Sequence, residues 1–175
     1  MKSGRRVARG PSIFVSGLWM SDGIEFVTDP FLFYRELHLA DDPTYRAPRD
    51  AVDSWRELAE QARAELARMG FPVTVFSYEM SELQPVGGYV LVHEMEPFGV
   101  TLDWRAPVRN SRSYIEKAIA QEREGLIRYV SAATEIITKA MFDVLDEASF
   151  RVLIDHQERD YYLYRVLEAP RFPIK

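Results

Sequence analysis

Between residues 50 and 70 the chain carries a face that must be hidden from water, and this constrains the rest of the fold. Apolar side chains at Val52, Trp55, Leu58, Ala59, Ala62, Leu66 and Met69 step by three and four, the spacing that lines up one side of an α-helix. Asp50 stands where an N-cap is expected. Gly70 occupies the position where a left-handed residue closes a helix, Phe71 can fold back as the apolar closure, and Pro72 prevents resumption. A stripe this wide needs a second layer to cover it.

The next segments supply that layer. Val73–Glu79 is rich in β-branched and aromatic residues, and Tyr89–Glu94 is apolar enough for a central strand. Gly87-Gly88 suggests a bend or bulge before it. Val100, Leu102 and Trp104 alternate with Thr101, Asp103 and Arg105, as in a strand with one solvated side. With Glu96-Pro97-Phe98-Gly99 as a turn, the three read as an antiparallel meander.

After Pro107, Ser113-x-x-Glu116 has the form of a capping box. The apolar positions Ile115, Ile119, Leu126, Val130, Ala133, Ile137, Ala140 and Val144 then mark a second helix. Unbroken, it would be roughly 50 Å long at 1.5 Å per residue, against a radius of gyration of ~16 Å for a compact domain of this size. Either it breaks near Glu124-Gly125 or one end projects. Glu122 falls inside the stripe if the helix is continuous, where it would need a partner and could fix helix register; a break lets it reach solvent. Asp143, Asp146 and Glu147 oppose the dipole at the helix end, which places Asp146 in a turn. Phe150–His156 and Tyr161–Glu168 close the domain as a hairpin.

The fold class is therefore α+β: an N-terminal β-hairpin and arm, then α-βββ-α-ββ, with two amphipathic helices on one side of an antiparallel sheet and the other side left free. Residues 1–11 read as a basic arm, flexible or bound to a partner, and residues 12–175 as a single domain. Within it lie a hairpin (12–28) around Asp22-Gly23, a short element after Asp29-Pro30 (31–39), a linker (41–49) and the main body (50–168). The element order of that body resembles that of secretion-chaperone-like domains and of small phage neck and tail-completion subunits. The likeness is one of arrangement, with no motif behind it.

Composition narrows the chemistry. The chain has no cysteine, so disulfides, thiolate metal sites and cysteine nucleophiles are excluded. A net charge of −5 argues against nucleic-acid binding by the domain as a whole, leaving only the basic arm for such contacts. No apolar run approaches the ~18 residues of a membrane span, so no membrane association is expected and the cytoplasm, or a particle assembled there, is the expected location.

No catalytic or metal-binding signature is present: there is no G-x-S-x-G elbow or Ser-x-x-Lys, and Gly87-Gly88 opens a strand where a phosphate loop must open a helix. His38, His93 and His156 are far apart in sequence. Only a site assembled by folding, near His93 and His156, could support an enzyme or a metal. No cofactor is expected.

The residues with most to offer a partner are Arg5, Arg6 and Arg9 in the arm, Glu122, and the cluster Tyr161, Tyr162, Tyr164 and Arg165, since exposed Tyr and Arg are enriched at interfaces. Tyr is also an ordinary strand former. The expected function is a non-enzymatic structural or interaction subunit of a larger assembly, homo- or hetero-oligomeric, a phage particle component being one concrete form. The alternatives are an acidic one-to-one binding protein (immunity factor, inhibitor or chaperone) and an enzyme using His93 and His156.

Overall fold

The computed structural model describes residues 18–21, 24–27, 29–31, 44–77, 86–157 and 161–172. The basic arm with Arg5, Arg6 and Arg9, the segment 32–39 with His38, the linker start at 41–43 and the tip of the expected N-terminal hairpin at Asp22-Gly23 lie outside them. Strands β1 (Leu18–Ser21) and β2 (Ile24–Val27) form a separate antiparallel pair.

Helix α1 spans Arg49–Arg68 and buries Ala51, Val52, Trp55, Leu58, Ala59, Ala62 and Leu66. Its end follows from the sequence. Gly70 adopts φ of +87°, its N–H donates to the Ala67 carbonyl at 3.0 Å, and that of Phe71 donates to Leu66 at 3.1 Å, the paired bonds of a Schellman closure. Asp50 does not cap the helix. Pro48 takes that position, and Asp50 sits in the first turn, where its charge favours the positive end of the dipole.

The main sheet contains β3 (Val73–Ser77), β4 (Gly87–His93), β5 (Gly99–Arg105), β6 (Arg151–Gln157) and β7 (Tyr161–Glu168), in the order β3-β4-β5-β7-β6. It is mixed, not antiparallel. β3 runs parallel to β4, with Val73 opposite Gly88, and every other pair is antiparallel. Alternation along a strand tells which side each residue faces but not the direction of its neighbour, so the meander reading fails at β3.

Gly87 and Gly88 permit this arrangement. At Gly87, with φ of +122°, a Cβ would lie 2.8 Å from the Pro72 carbonyl oxygen, and at Gly88 one would lie 2.9 Å from Met141 Sδ. The Gly88 N–H donates to that Pro72 oxygen at 2.8 Å. The pair is thus a site of close backbone approach within the strand.

The second helix does break. A 3-10 turn (Pro107–Asn110) leads into α2 (Arg112–Ile119), and α3 runs from Leu126 to Glu147. Ser111, not Ser113, is the N-cap, accepting from the Tyr114 N–H at 3.3 Å. Glu122 lies in the break, exposed, and accepts from Lys117 Nζ at 2.6 Å. Asp146 remains helical. The buried residues of α3 are Val130, Thr138, Met141, Phe142 and Leu145, so the inner face is rotated from the Ala133–Ala140–Val144 line read from the sequence. Apolar residues surround so much of this helix that their spacing does not single out one face.

α1 and α3 pack on the same side of the sheet, over Val90, Val92, Val100, Leu102, Tyr164 and Val166. The opposite side is not free at its centre. Tyr89, Leu91, His93, Thr101 and Arg165 are all buried there, partly under the turn that carries Pro97 and Phe98 and under Phe31. Among the described residues no helix is long and apolar enough to cross a membrane.

Candidate functional site

α2 is a helix without a core face. Eight residues are marginal as an isolated helix in water, and none of its residues is buried. It is held by the Ser111 cap, by the exposed Arg112–Glu116 and Lys117–Glu122 ion pairs, and by contact with α3 and the 3-10 turn. The exposed pairs contribute at most a few tenths of a kcal/mol each. Ile115 and Ile119, four residues apart and so on one side, both face outward, Ile119 with 78% of its surface accessible.

The first half of α3 continues this character. Tyr129 and Ile136, seven residues apart and on one side, are 68% and 70% accessible, and the exposed Ala132 lies between them. In the same half only Val130 is buried. A partner burying the exposed surface of Ile119 and Ile136 would gain about 1–2 kcal/mol from each. Ile115 and Ile119 were read from the sequence as inward-facing. The seven-residue spacing of Tyr129 and Ile136 places them on one side but does not tell whether that side faces the core or solvent.

The C-terminal Tyr/Arg cluster turns out differently from the reading that gave it to a partner. Arg165 is fully buried. Its Nε donates to Asp155 Oδ2 at 2.7 Å, Nη1 to the Phe98 carbonyl at 2.6 Å and Nη2 to the Pro97 carbonyl at 2.9 Å, and the guanidinium lies 5.1 Å from the Phe31 ring centre. It ties β7 to β6 and to the turn before β5. Tyr164 is buried against Phe142, edge to face. Only Tyr162 is exposed, stacked edge-on with His156 at 4.8 Å; the Tyr161 side chain lies outside the described residues. A strand alternates two faces, and here both are claimed by packing.

His93 and His156 do not converge: β4 and β6 are separated in the sheet by β5 and β7. His93 is buried with Nε2 2.8 Å from Thr101 Oγ1. Burial, reinforced by the nearby Arg165 charge, lowers its pKa to about 4, so the imidazole is neutral at neutral pH. Among the described residues no group of three or more His, Asp or Glu side chains could hold a metal ion.

His93 does border a cavity of about 400 Å³. The β5–β7 ladder stops at Leu102 opposite Tyr164, although both strands run on. Into the resulting wedge face Asp103, Arg109 from the 3-10 turn, and Ser131, Thr134 and Glu135 from α3. Burial raises the pKa of Asp103, opposed by the Trp104 N–H and by the charges of Arg109 and Arg105. None of these residues was singled out from the sequence, because the wedge exists only through where two strands part. No protein-family model, curated protein or solved structure matches this chain.

Proposed function

We propose that the chain is a non-enzymatic interaction subunit of a larger protein assembly, and that it docks through α2 and the outer side of α3. The observation that carries this reading is the pair of exposed apolar rows, Ile115 with Ile119 and Tyr129 with Ile136, on helical segments that bury little of themselves. Aromatic and branched apolar residues in such exposed rows are what a partner's surface covers. A net charge of −5 would keep the free subunit soluble and steer it towards a basic surface.

The test is mass measurement of the purified full chain and of the Ile119→Asp/Ile136→Asp double variant. An assembly larger than the 20.3 kDa chain, or a stoichiometric complex with a purified partner, should be lost in the variant while its melting temperature stays close to the parent's. A parent that is monomeric and partnerless, or a variant that assembles as well as the parent, overturns the reading.

A further inference from the structure

We propose that the wedge between β5 and β7, roofed by α3, binds a small zwitterion with an apolar body, of which an α-amino acid the size of leucine or phenylalanine is the simplest case. This inference does not depend on the assembly reading, since the wedge shares none of the residues of the exposed helical rows.

The size comes first. A cavity of about 400 Å³ lies within the range of small-molecule sites and is too small for a folded partner or a nucleic-acid strand. Its apolar surface comes from Leu91, Leu102 and Leu163 and from the rings of Tyr162 and Tyr164, enough to receive one branched or aromatic group.

The charges define the rest of the ligand. Arg109 presents five N–H donors. Its Nη2 makes one long contact with Thr134 Oγ1, at 3.4 Å, and among the described residues no carboxylate is paired with it. A guanidinium fork with donors to spare matches a carboxylate, which accepts two parallel bonds. Asp103 and Glu135 line the same cavity. The one hydrogen bond of Asp103 is accepted from the Trp104 N–H at 2.7 Å, and among the described residues neither carboxylate forms an ion pair with Arg109.

Opposite charges therefore face one space without neutralising each other by contact. A simple anion would meet two carboxylates, and a simple cation would meet the guanidinium. A molecule carrying both charges places its carboxylate on Arg109 and its ammonium towards Asp103 and Glu135. The neutral His93, bonded to Thr101, adds no charge to disturb that polarity.

Calorimetric titration of the full chain with L-phenylalanine and L-leucine tests this, with 3-phenylpropanoate and 2-phenylethylamine as the two half-ligands. At least one amino acid should bind at least tenfold more tightly than either half, the loss expected when a buried charge contact is removed. Arg109→Gln should weaken the amino acid and 3-phenylpropanoate at least tenfold and leave 2-phenylethylamine no weaker. Asp103→Asn should weaken the amino acid and 2-phenylethylamine and leave 3-phenylpropanoate no weaker, and it decides the matter if Arg109→Gln does not fold. No heat or saturable shift from either amino acid at about 10 mM, half-ligands that bind as tightly as the whole, or amino-acid binding indifferent to both substitutions would each overturn the proposal.

Discussion

Replacing Asp155 by Ala should destabilise this protein far more than the loss of one ion pair at the surface. Arg165 has no accessible surface, whereas the Asp155 side chain keeps 17% of its own. Removing the carboxylate strands a cation in the interior with two backbone carbonyls still bound to it, at 2.6 and 2.9 Å. Breaking a buried pair on one side costs about 3–5 kcal/mol. Water reaching the Asp155 end and the two surviving carbonyl bonds reduce this to about 2–4 kcal/mol. In a chain of this length each kcal/mol moves the melting temperature by about 2–4 °C, so Asp155→Ala should melt roughly 5–15 °C lower. Thermal and urea unfolding followed by circular dichroism measure both quantities. Arg165→Met removes the charge with a side chain of similar reach. Combined with Asp155→Ala it should cost less than the sum of the two single changes, by more than about 1 kcal/mol. An Asp155→Ala chain within about 0.5 kcal/mol of the parent, or a double variant that is simply additive, would refute the argument that this pair locks the turn to the sheet.

Three further outcomes follow from the geometry. With a folded pKa of about 4 against an ordinary 6.5, His93 binds fewer protons folded than unfolded, so its contribution is fully present above pH 6.5 and is lost as pH falls towards 4. The loss amounts to roughly 3 kcal/mol. Urea unfolding of the parent and of His93→Gln at pH 7.5 and 4.5 isolates it, because the opposing effect of Asp103 is common to both; equal losses in the two chains would contradict it. Ser149 closes α3 at φ of +67° with the Schellman bonds Ser149 to Asp146 and Phe150 to Leu145. Ser149→Gly should therefore gain about 0.5–1 kcal/mol, seen as a melting point a few degrees higher. Gly87→Ala should cost about 2–4 kcal/mol, since its Cβ would press on the Pro72 oxygen, a backbone atom that cannot move aside without losing its bond to Gly88; chemical denaturation at unchanged m-value checks it.

The parts of the fold that local chemistry decides were legible in the residues. α1 and its Gly70-Phe71 closure and the extents of β5 and β7 rest on periodicity and on turn residues acting within one turn of chain, whereas the break between Ile119 and Leu126 was one of two alternatives that only the length of the apolar stripe raised. What escaped depends on contacts distant in sequence. β3 runs parallel to β4, where the Gly88 N–H meets the Pro72 carbonyl, and the inner face of α3 depends on which of several apolar rows meets the sheet. The burial of Arg165 is set by carbonyls more than sixty residues away. Within the candidate sites, Ile119 and Ile136 were visible as apolar residues but not as outward ones, and the Asp103–Arg109 wedge had no signature in the sequence.

The β5–β7 seam has only three rungs, Val100–Val166, Thr101–Arg165 and Leu102–Tyr164, whereas β4–β5 and β6–β7 are paired along seven. Two well-knit leaves are thus joined along a narrow spine, with α1 and α3 laid across it like a splint. With so few rungs, the joint between the leaves rests largely on the apolar side chains that α1 and α3 press against both of them.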